Sequence, residues 1–337
     1  MLNQSIRVGV RLIDSNSSPY IVAEAGSNFN QKLDVAKRLI EVASESGASA
    51  VKFQLFRADS LYPNRDQLYS VFKELELNPD WVEPLSTHAS EYGVEFLASA
   101  FDYDSVDILE DISISAHKIA SSETTNLKLL HYVASKRKPV LVSTGMCDLV
   151  DVQEAINVCL AVGNSDIVLM QCGSMYPLPV QHVHLRTIST FNEMFGGPVG
   201  FSDHTLGRHA AVAAVGVGAT VFEKHFTLDK EADGPDHFYA LEPDQLKMYV
   251  RAIQDAYESL GSPVKQMLPD EITQGRREGL YAAHTLEPGA VLEVENLLVK
   301  RPALGLRARY QSVAIGAKIT KTIEAGDPIG WEHLEFH

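Results

Sequence analysis

Short apolar segments recur along the first two thirds of the chain, and polar or glycine residues bound each of them. Segments of this kind are typical of strands that are buried on both faces of a parallel sheet. We predict eight such strands, at 20–23, 50–53, 94–97, 116–119, 140–142, 167–170, 199–201 and 220–222. Apolar residues with helical spacing lie between most of them, for example at 33–45, 106–109, 127–134, 152–161, 210–215 and 246–260. Eight alternations of strand and helix predict a (β/α)8 TIM barrel.

The pattern changes after residue 260. Gly, Pro and mixed charges come first, followed by short β-like runs that glycine turns separate. Two segments of this region echo each other, LEPGAVLEVENL at 286–297 and IEAGDPIGWEHL at 323–334. The pattern indicates a β domain of about 60 residues, which is small for an independently stable unit. We therefore predict a barrel at 1–262, a linker at 263–278 and a small C-terminal domain at 279–337.

The chain has 337 residues, with 29 Lys and Arg against 44 Asp and Glu, and a net charge of −15. This acidic excess argues against binding to nucleic acid or to an anionic membrane, although it permits a local cationic pocket for an anionic substrate. No apolar run approaches the roughly 20 residues of a membrane span, and the first residues lack the pattern of a secretory signal. Three cysteines without a CxxC pair are typical of a reduced compartment, so we expect a cytoplasmic protein.

Several predicted strands end at polar residues, and in a TIM barrel the carboxyl ends of the strands build the active site. His204 and His225 follow the seventh and eighth predicted strands, in SDHT and EKHF. Neighbouring strands would bring both imidazoles to one rim, where they could share a metal ion and leave positions open for substrate and water. The alternative is a pair of hydrogen-bonded core histidines. Asp203 would orient His204 or cap the turn before Thr205.

Lysines and serines also stand at the ends of several strands. The set comprises Lys52, Ser99, Lys118, Ser121, Ser143 and Ser202. Two lysines and several hydroxyls around one rim are suited to binding a phosphate or a carboxylate. The alternative is that each of them caps a helix or pairs with a neighbouring acid. A lysine at a strand end would also permit Schiff-base aldolase chemistry.

Two acidic residues are candidates for proton transfer or substrate binding. Glu24 ends the first strand sequence, YIVAE, and could act as a general base or as a structural partner of Lys52 or Lys118. Asp236, in the turn sequence ADGPDH, could bind substrate hydroxyls or simply form the turn. Cys172 lacks the sequence context of a nucleophile, which favours a buried structural thiol.

These residues lie within longer motifs, which occur in the order IVAEAGSNFN, GASAVKFQ, HKIASSETTN, KPVLVSTGM, CGSMYPLP, GFSDHT, EKHFTLDK and VKRPALGL. With these motifs the chain resembles the sialic acid synthase family, the bacterial nonulosonate synthases, over residues 18–337. The resemblance implies a TIM barrel followed by a C-terminal β-clip domain of the SAF, or antifreeze-like, type. It implies a C–C bond-forming transferase that condenses phosphoenolpyruvate with an N-acetylated amino sugar. It also implies a domain-swapped homodimer, in which Arg301 reaches the sugar in the barrel of the other subunit.

The resemblance further implies roles for individual side chains. His204 and His225 would hold a divalent cation, Mn²⁺ in the first place and Mg²⁺ or Co²⁺ as alternatives. The set of lysines and serines defined above would bind the phosphoenolpyruvate. The sugar or the attacking water would be faced by Glu24, Gln54 and Asp236. Asn28 and His184 would make further contacts with substrate.

The chain departs from the family pattern at several positions. Phe29 and Gln31 replace the histidine and the glycine of an NHxG sequence in the first loop, which we expect to lie close to the sugar. His184 stands where the family commonly has an asparagine, and Ser99-Ala100 replaces Thr-Pro. These differences leave the acceptor open between N-acetylmannosamine, a diacetamido sugar and a phosphorylated sugar. A Schiff-base aldolase and a non-catalytic sugar- or ice-binding protein are the other function classes considered.

Overall fold

The structure is a computed structural model, and it describes residues 1–336. The chain forms two compact units, which divide between Gly261 and Ser262. Among the described residues, no helix combines the length and the apolar character that crossing a membrane requires.

The first unit begins with a hairpin and continues as a closed barrel. The hairpin pairs β1 (Ile6–Val8) with β2 (Arg11–Ile13) in antiparallel fashion. The barrel strands are β3 (Tyr20–Gly26), β4 (Ala50–Leu55), β5 (Glu95–Ala100), β6 (His117–Ile119), β7 (Val140–Ser143), β8 (Ile167–Cys172), β9 (Val199–Asp203) and β10 (Ala219–His225). They pair in parallel from β3 to β10 in chain order, and β10 pairs with β3 to close the barrel.

The predicted TIM barrel and its eight strands are confirmed. Several strands run further than their apolar segments, since β3 extends to Gly26, β8 to Cys172 and β10 to His225. The polar residues at these ends remain in the parallel ladder, as the pairing of Lys224 with Asp203 shows. The strands therefore carry their polar ends rigidly into one rim of the barrel.

Helices surround the strands. They are α1 (Leu33–Glu45), α2 (Ala58–Leu61), α3 (Gln67–Leu75), α4 (Val82–Glu91), α5 (Tyr103–Asp111), α6 (Leu127–Ser135), α7 (Leu149–Ala161), α8 (Arg186–Phe195), α9 (His209–Gly216) and α10 (Pro243–Leu260). Every predicted helix is present, whereas α2, α3, α4 and α8 lie outside the predicted segments. In α8, Ile188, Phe191 and Phe195 are buried at helical spacing, so its apolar pattern is as clear as that of α1.

The hairpin of β1 and β2 packs at the end of the barrel where the strands begin. Ile6, Val8 and Ile13 are buried in the same core as the barrel. Arg11 donates to the hydroxyl of Ser49, the residue that precedes β4, at 2.7 Å. The amino end of the barrel is therefore covered, and the opposite rim is the one that carries the polar strand ends.

The second unit contains α11 (Pro269–Thr273), β11 (Gly279–Ala282), β12 (Leu297–Lys300), α12 (Gln311–Ala314), β13 (Lys318–Ile319) and β14 (Leu334–Glu335). β11 pairs with β12 and β13 pairs with β14, both in antiparallel fashion. The two echoing segments are also neighbours, since Leu286 and Ile323 form an antiparallel bridge. Gly289 and Gly326 both have φ of 88°, a left-handed conformation that favours glycine at these turns. The repeated sequence thus corresponds to a repeated turn.

Candidate active site

Four charged side chains meet at the carboxyl ends of strands β3, β4, β6 and β10. The Lys52 ammonium lies 2.7 Å from Glu24 Oε2 and 3.7 Å from Glu223 Oε2. The Lys118 ammonium lies 3.9 Å from Glu223 Oε1, so Glu223 stands between the two lysines. All four side chains are buried. Burying a charge is costly unless it is paired, and each of these charges has an opposite charge within 4 Å.

Two serines of the predicted anion-binding set contact the lysines. Lys52 donates a hydrogen bond to Ser99 Oγ at 3.0 Å, and Lys118 donates one to Ser143 Oγ at 2.7 Å. Each lysine therefore contacts a carboxylate and a hydroxyl of other strands: Lys52 contacts groups of the two adjacent strands, whereas Lys118 contacts Ser143 of the adjacent β7 and Glu223 of β10. This arrangement fixes the position of the ammonium groups before any ligand is bound.

Glu223 was not among the predicted site residues, although EKHF places it at the end of its strand. Ser202 donates a hydrogen bond to Glu223 Oε1 at 3.0 Å. Ser121 lies in the loop after β6, where its hydroxyl accepts a hydrogen bond from the Gly145 amide at 2.9 Å. The structure thus brings the predicted lysines and serines to one rim, and it adds a central carboxylate to them.

Burial is the largest single influence on the pKa of each of the four charged groups, and their neighbours decide the outcome. Burial raises the pKa of Glu24 to about 7, against the lowering effect of Lys52. At Glu223, Lys118 and Lys52 outweigh burial and lower the pKa. Burial lowers the pKa of Lys118, whereas at Lys52 the two glutamates outweigh burial and raise the pKa. The two carboxylates therefore differ in the pH at which they ionise.

His204 and His225 lie side by side at the same rim, with 5.5 Å between their ring centroids. His204 Nδ1 donates to the Gly173 carbonyl oxygen at 2.8 Å, so in the neutral ring Nε2 carries the lone pair. His225 Nδ1 is buried and has no hydrogen-bond partner within the described part of the chain. Burial holds the pKa of His225 well below its usual value, so the ring stays neutral, as a metal ligand must be.

The imidazoles of His204 and His225 fit a cation that has further coordination positions open. Across residues 1–336, no group of three or more His, Cys, Asp and Glu side chains is arranged to hold a metal ion. Two imidazoles alone would leave coordination positions for substrate and water, as catalytic sites require. Asp236 Oδ2 lies 3.9 Å from His225 Nδ1, and Tyr239 donates to Asp236 Oδ1 at 2.7 Å. Burial raises the pKa of Asp236.

A cavity of about 480 Å³ opens onto these groups. Its polar lining includes Gln54, Ser121, His225 and Asp236. Gln54 donates to Glu24 Oε1 at 3.3 Å, which links the cavity to the buried cluster. The opposite wall is apolar and comes largely from α3 and the adjacent loops: Phe56, Leu68, Val71, Phe72, Leu75 and Phe101. The site therefore combines a buried cluster of charged side chains with an adjacent cavity whose wall is largely apolar.

Of the remaining predicted substrate contacts, Asn28 is buried, whereas His184 and Arg301 are exposed. The Asn28 side chain is buried and donates to the Phe226 carbonyl oxygen at 2.8 Å, so it joins the first loop to the chain after β10. His184 is exposed and has a φ of 51°. Arg301, in the second unit, is exposed and lies 3.5 Å from Glu278. Asn28 and His184 are not among the residues that line the cavity in the described structure.

The two departures in the first loop are not among the residues that line the cavity in the described structure. The Phe29 ring is completely buried, with its centroid 6.2 Å from those of both Phe53 and Trp81. Gln31 is exposed and donates to the Glu76 carbonyl oxygen at 2.8 Å. Packing behind the strands explains the aromatic residue at position 29, because an imidazole there would bury polar atoms among aromatic rings.

Comparison with known proteins decides the family. A model of the NeuB family matches residues 39–265, and a model of the SAF domain matches residues 277–335. The chain belongs to the NeuB family. It is 38% identical to the N,N'-diacetyllegionaminic acid synthase of Legionella pneumophila, over 97% of this chain and 98% of that protein. The enzyme of the same name from Campylobacter jejuni is 36% identical, over 92% of this chain and 98% of that one.

A solved structure supports the same assignment. The spore coat polysaccharide biosynthesis protein SpsE of Bacillus subtilis has a TM-score of 0.71 and 34% identity, over 99% of both chains. The predicted SAF domain and the predicted resemblance to sialic acid synthases are confirmed. As a NeuB family protein whose named relatives are synthases, the chain is an enzyme of the C–C bond-forming transferase type. The alternative of a non-catalytic sugar-binding protein has no support from these relatives.

The NeuB family match includes most of the predicted site. Lys52, Lys118, His204, His225 and the unpredicted carboxylate of Glu223 all lie within residues 39–265. Glu24 precedes this range, so the family model covers most of the site of this NeuB protein and leaves out the carboxylate of β3.

Proposed function

We propose that this enzyme condenses phosphoenolpyruvate with the aldehyde of an N-acylated amino sugar to form a nonulosonic acid and phosphate. The observation that carries the proposal is the buried cluster of two lysines and two glutamates, which lies beside the histidine pair at one rim of the barrel. The cluster offers fixed cations for an anion, and the neighbouring cavity offers room for a sugar. The synthase names of the relatives support the same reaction class.

Lys52 and Lys118 hold the phosphate and the carboxylate of phosphoenolpyruvate in this proposal. The raised pKa of Lys52 keeps its ammonium group charged, and Ser99 and Ser143 already position the two lysines. Charge-assisted hydrogen bonds of this kind are about twice as strong as neutral ones. Because the groups are fixed before binding, much of the catalytic effect comes from orientation and charge stabilisation.

His204 and His225 would hold a divalent cation, with Mn²⁺ as the first candidate and Mg²⁺ or Co²⁺ as alternatives. The unpartnered Nδ1 of His225 and the unused Nε2 of His204 support this assignment. A cation bound there supplies Lewis-acid polarisation of the aldehyde oxygen. Asp236, beside His225, would bind the hydroxyl groups of the sugar.

The proposed reaction involves the following bond changes. C3 of phosphoenolpyruvate forms a bond to the aldehyde carbon, and the aldehyde oxygen takes up a proton. Water adds to C2, and Glu24 accepts the proton that this water loses. The C2–O bond to phosphate then breaks, and the second proton of the added water passes to the departing phosphate as a ketone forms at C2. The proton that Glu24 accepts balances the one that the aldehyde oxygen takes up. A pKa of about 7 suits Glu24 to this role, since a general base works best when its pKa is near the ambient pH.

The acceptor is an amino sugar with acyl groups on nitrogen. The apolar wall from Leu68, Val71 and Phe72 suits the methyl groups of such substituents, while Gln54 and Asp236 offer hydrogen bonds on the other side. A diacetamido hexose is the first candidate, because two of the relatives are named for the diacetylated product. N-acetylmannosamine and a phosphorylated sugar are the comparison acceptors.

The test is phosphate release from phosphoenolpyruvate with this panel of sugars, in the presence of Mn²⁺ or of EDTA. We expect release with at least one acylated amino sugar, and loss of the activity in EDTA. Mass spectrometry of the product should show the sugar plus the three carbons of the keto acid. Absence of release with every sugar, in a folded protein that binds Mn²⁺, would overturn the proposal.

A Schiff-base aldolase is the competing function, and the lowered pKa of Lys118 favours it because such lysines react as the neutral amine. Borohydride treatment with pyruvate would then attach three carbons to a lysine, which peptide mass spectrometry would locate. EDTA would not inhibit that reaction. The synthase reaction predicts that no lysine is labelled and that EDTA inhibits.

A further inference from the structure

Behind the histidine pair, on the outer face of the barrel, lies a second group of buried polar side chains. Side chains alternate between the faces of a strand, so Lys224 points away from the site that Glu223 and His225 face. Asp203 likewise precedes His204 at the end of the neighbouring strand. Asp203, Lys224 and Tyr249 of α10 are all within 2% of complete burial. The proposed mechanism uses none of these three.

Their contacts connect both sides of His204 to the residue before His225. Asp203 Oδ1 accepts hydrogen bonds from the amide and the hydroxyl of Thr205, at 2.8 and 2.7 Å. Lys224 lies 3.2 Å from Asp203 Oδ2 and donates to the Thr205 carbonyl oxygen. Tyr249 donates to Asp203 Oδ2 at 3.3 Å, and its ring centroid lies 5.6 Å from the Lys224 ammonium.

A buried ion pair is expected to contribute little net stability to this part of the barrel. The outer faces of barrel strands normally pack apolar residues against helices, and replacing a buried ion pair by apolar groups is often neutral or stabilising. What the pair does provide is direction. An ammonium group can bind a carboxylate and a backbone carbonyl together, and apolar packing cannot fix a carbonyl in this way. The contact of Lys224 with Thr205 fixes the backbone immediately after His204.

We propose that Lys224 is a positioning residue that, with Asp203, sets the distance and the orientation between the His204 and His225 imidazoles. This inference rests on the proposed function, because it assumes that the two histidines share a cation. His204 is held from the other side as well, since its ring donates to the Gly173 carbonyl and its own carbonyl accepts from the Leu178 amide at 2.8 Å. Lys224 supplies the remaining restraint, from the strand that carries His225.

The experiment measures binding of Mn²⁺ alone, by electron paramagnetic resonance of the free ion and by calorimetry. Lys224→Met by itself leaves a buried carboxylate unpaired and could fail to fold. The decisive variant is therefore the double substitution Lys224→Met with Asp203→Asn, which removes both charges and retains an oxygen for Thr205. We expect it to remain folded and to bind Mn²⁺ about 10- to 100-fold more weakly than the wild type, the usual effect of losing an orienting partner. Saturating Mn²⁺ should restore most of kcat.

Leu246→Ala is the matched control. This residue is buried on α10, as Tyr249 is, and its apolar side chain forms no hydrogen bond with Asp203 or Lys224. It should lower the melting temperature and leave the Mn²⁺ affinity unchanged. Wild-type affinity in the double variant would overturn the positioning role. A wild-type protein that binds no Mn²⁺, or a His204→Ala variant that binds it normally, would instead reject the cation site, and the present inference with it.

Discussion

Glu24 offers a quantitative test of the site, because its pKa lies about 2.5 above the ordinary value of 4.5. The folded chain therefore holds a proton on Glu24 more tightly than the unfolded chain does. Between pH 4.5 and 7 the native state binds more protons at this position, so its contribution to stability decreases as the pH rises. At about 1.4 kcal/mol for each pKa unit, the loss over the whole window is about 3 kcal/mol. The side chain is only 1% exposed, so solvent screening does not reduce this figure.

The perturbation is Glu24→Gln, which removes the titration and keeps the shape of the side chain. Urea unfolding is followed at intervals between pH 4.5 and 8 by the fluorescence of Trp81, in a Trp331→Phe background so that only the barrel reports. Titrating groups distant from Glu24 are shared by the two proteins and cancel in the difference. We expect the stability of the variant relative to the parent to rise by about 3 kcal/mol from pH 4.5 to 7 and then to level off. A difference that does not change across this window would refute the raised pKa and the role of Glu24 as a base.

Four further substitutions test the histidine pair, the second unit and the first loop. His204→Ala or His225→Ala should abolish Mn²⁺ binding in equilibrium dialysis, as well as activity, with an unchanged circular dichroism spectrum; full activity in either variant contradicts the cation site. Arg301→Ala should raise the KM for the sugar far more than the KM for phosphoenolpyruvate, and equal effects would contradict the domain-swapped arrangement. Phe29→His should lower the stability to urea by about 3 kcal/mol, because it buries a polar ring among aromatic side chains, and should leave both KM values unchanged. A changed sugar preference in that variant would show that position 29 influences the site.

Much of the barrel could be predicted because its strands are apolar on both faces and end abruptly at polar residues. The same feature located Lys52, Lys118 and the histidine pair, since a TIM barrel collects the carboxyl ends of its strands at one rim. Sequence alone could not determine which acid pairs with which lysine. Glu24 and Glu223 both end strands, and only their distances show that Glu223 lies between the lysines while Glu24 contacts Lys52.

Loop residues were harder to place, because the position of a residue in a loop does not determine which way its side chain points. Phe29 follows Asn28 in the first loop, and both were expected near the substrate. The structure turns the ring of Phe29 into the aromatic core and the amide of Asn28 onto a backbone carbonyl. Asp203 had two predicted roles, orienting His204 or capping the turn before Thr205. It has hydrogen bonds to Thr205 and an ion pair with Lys224, whose outward direction the strand alternation already fixes.

Glu24 and Glu223 differ in their pKa shifts, and this difference explains why the proposed anion site contains acidic residues. Without a ligand, two buried lysines would repel each other, and Glu223 balances them from a position between the two ammonium groups. Its lowered pKa keeps it ionised, so it serves as a permanent counter-ion. Glu24 differs because burial raises its pKa to about 7, so it gains or loses a proton easily near neutral pH. Environments that separate the pKa values of two neighbouring carboxylates divide their roles. In the proposed reaction, Glu24 is therefore the one of the two that is suited to accept a proton, while Glu223 balances the charges of the lysines.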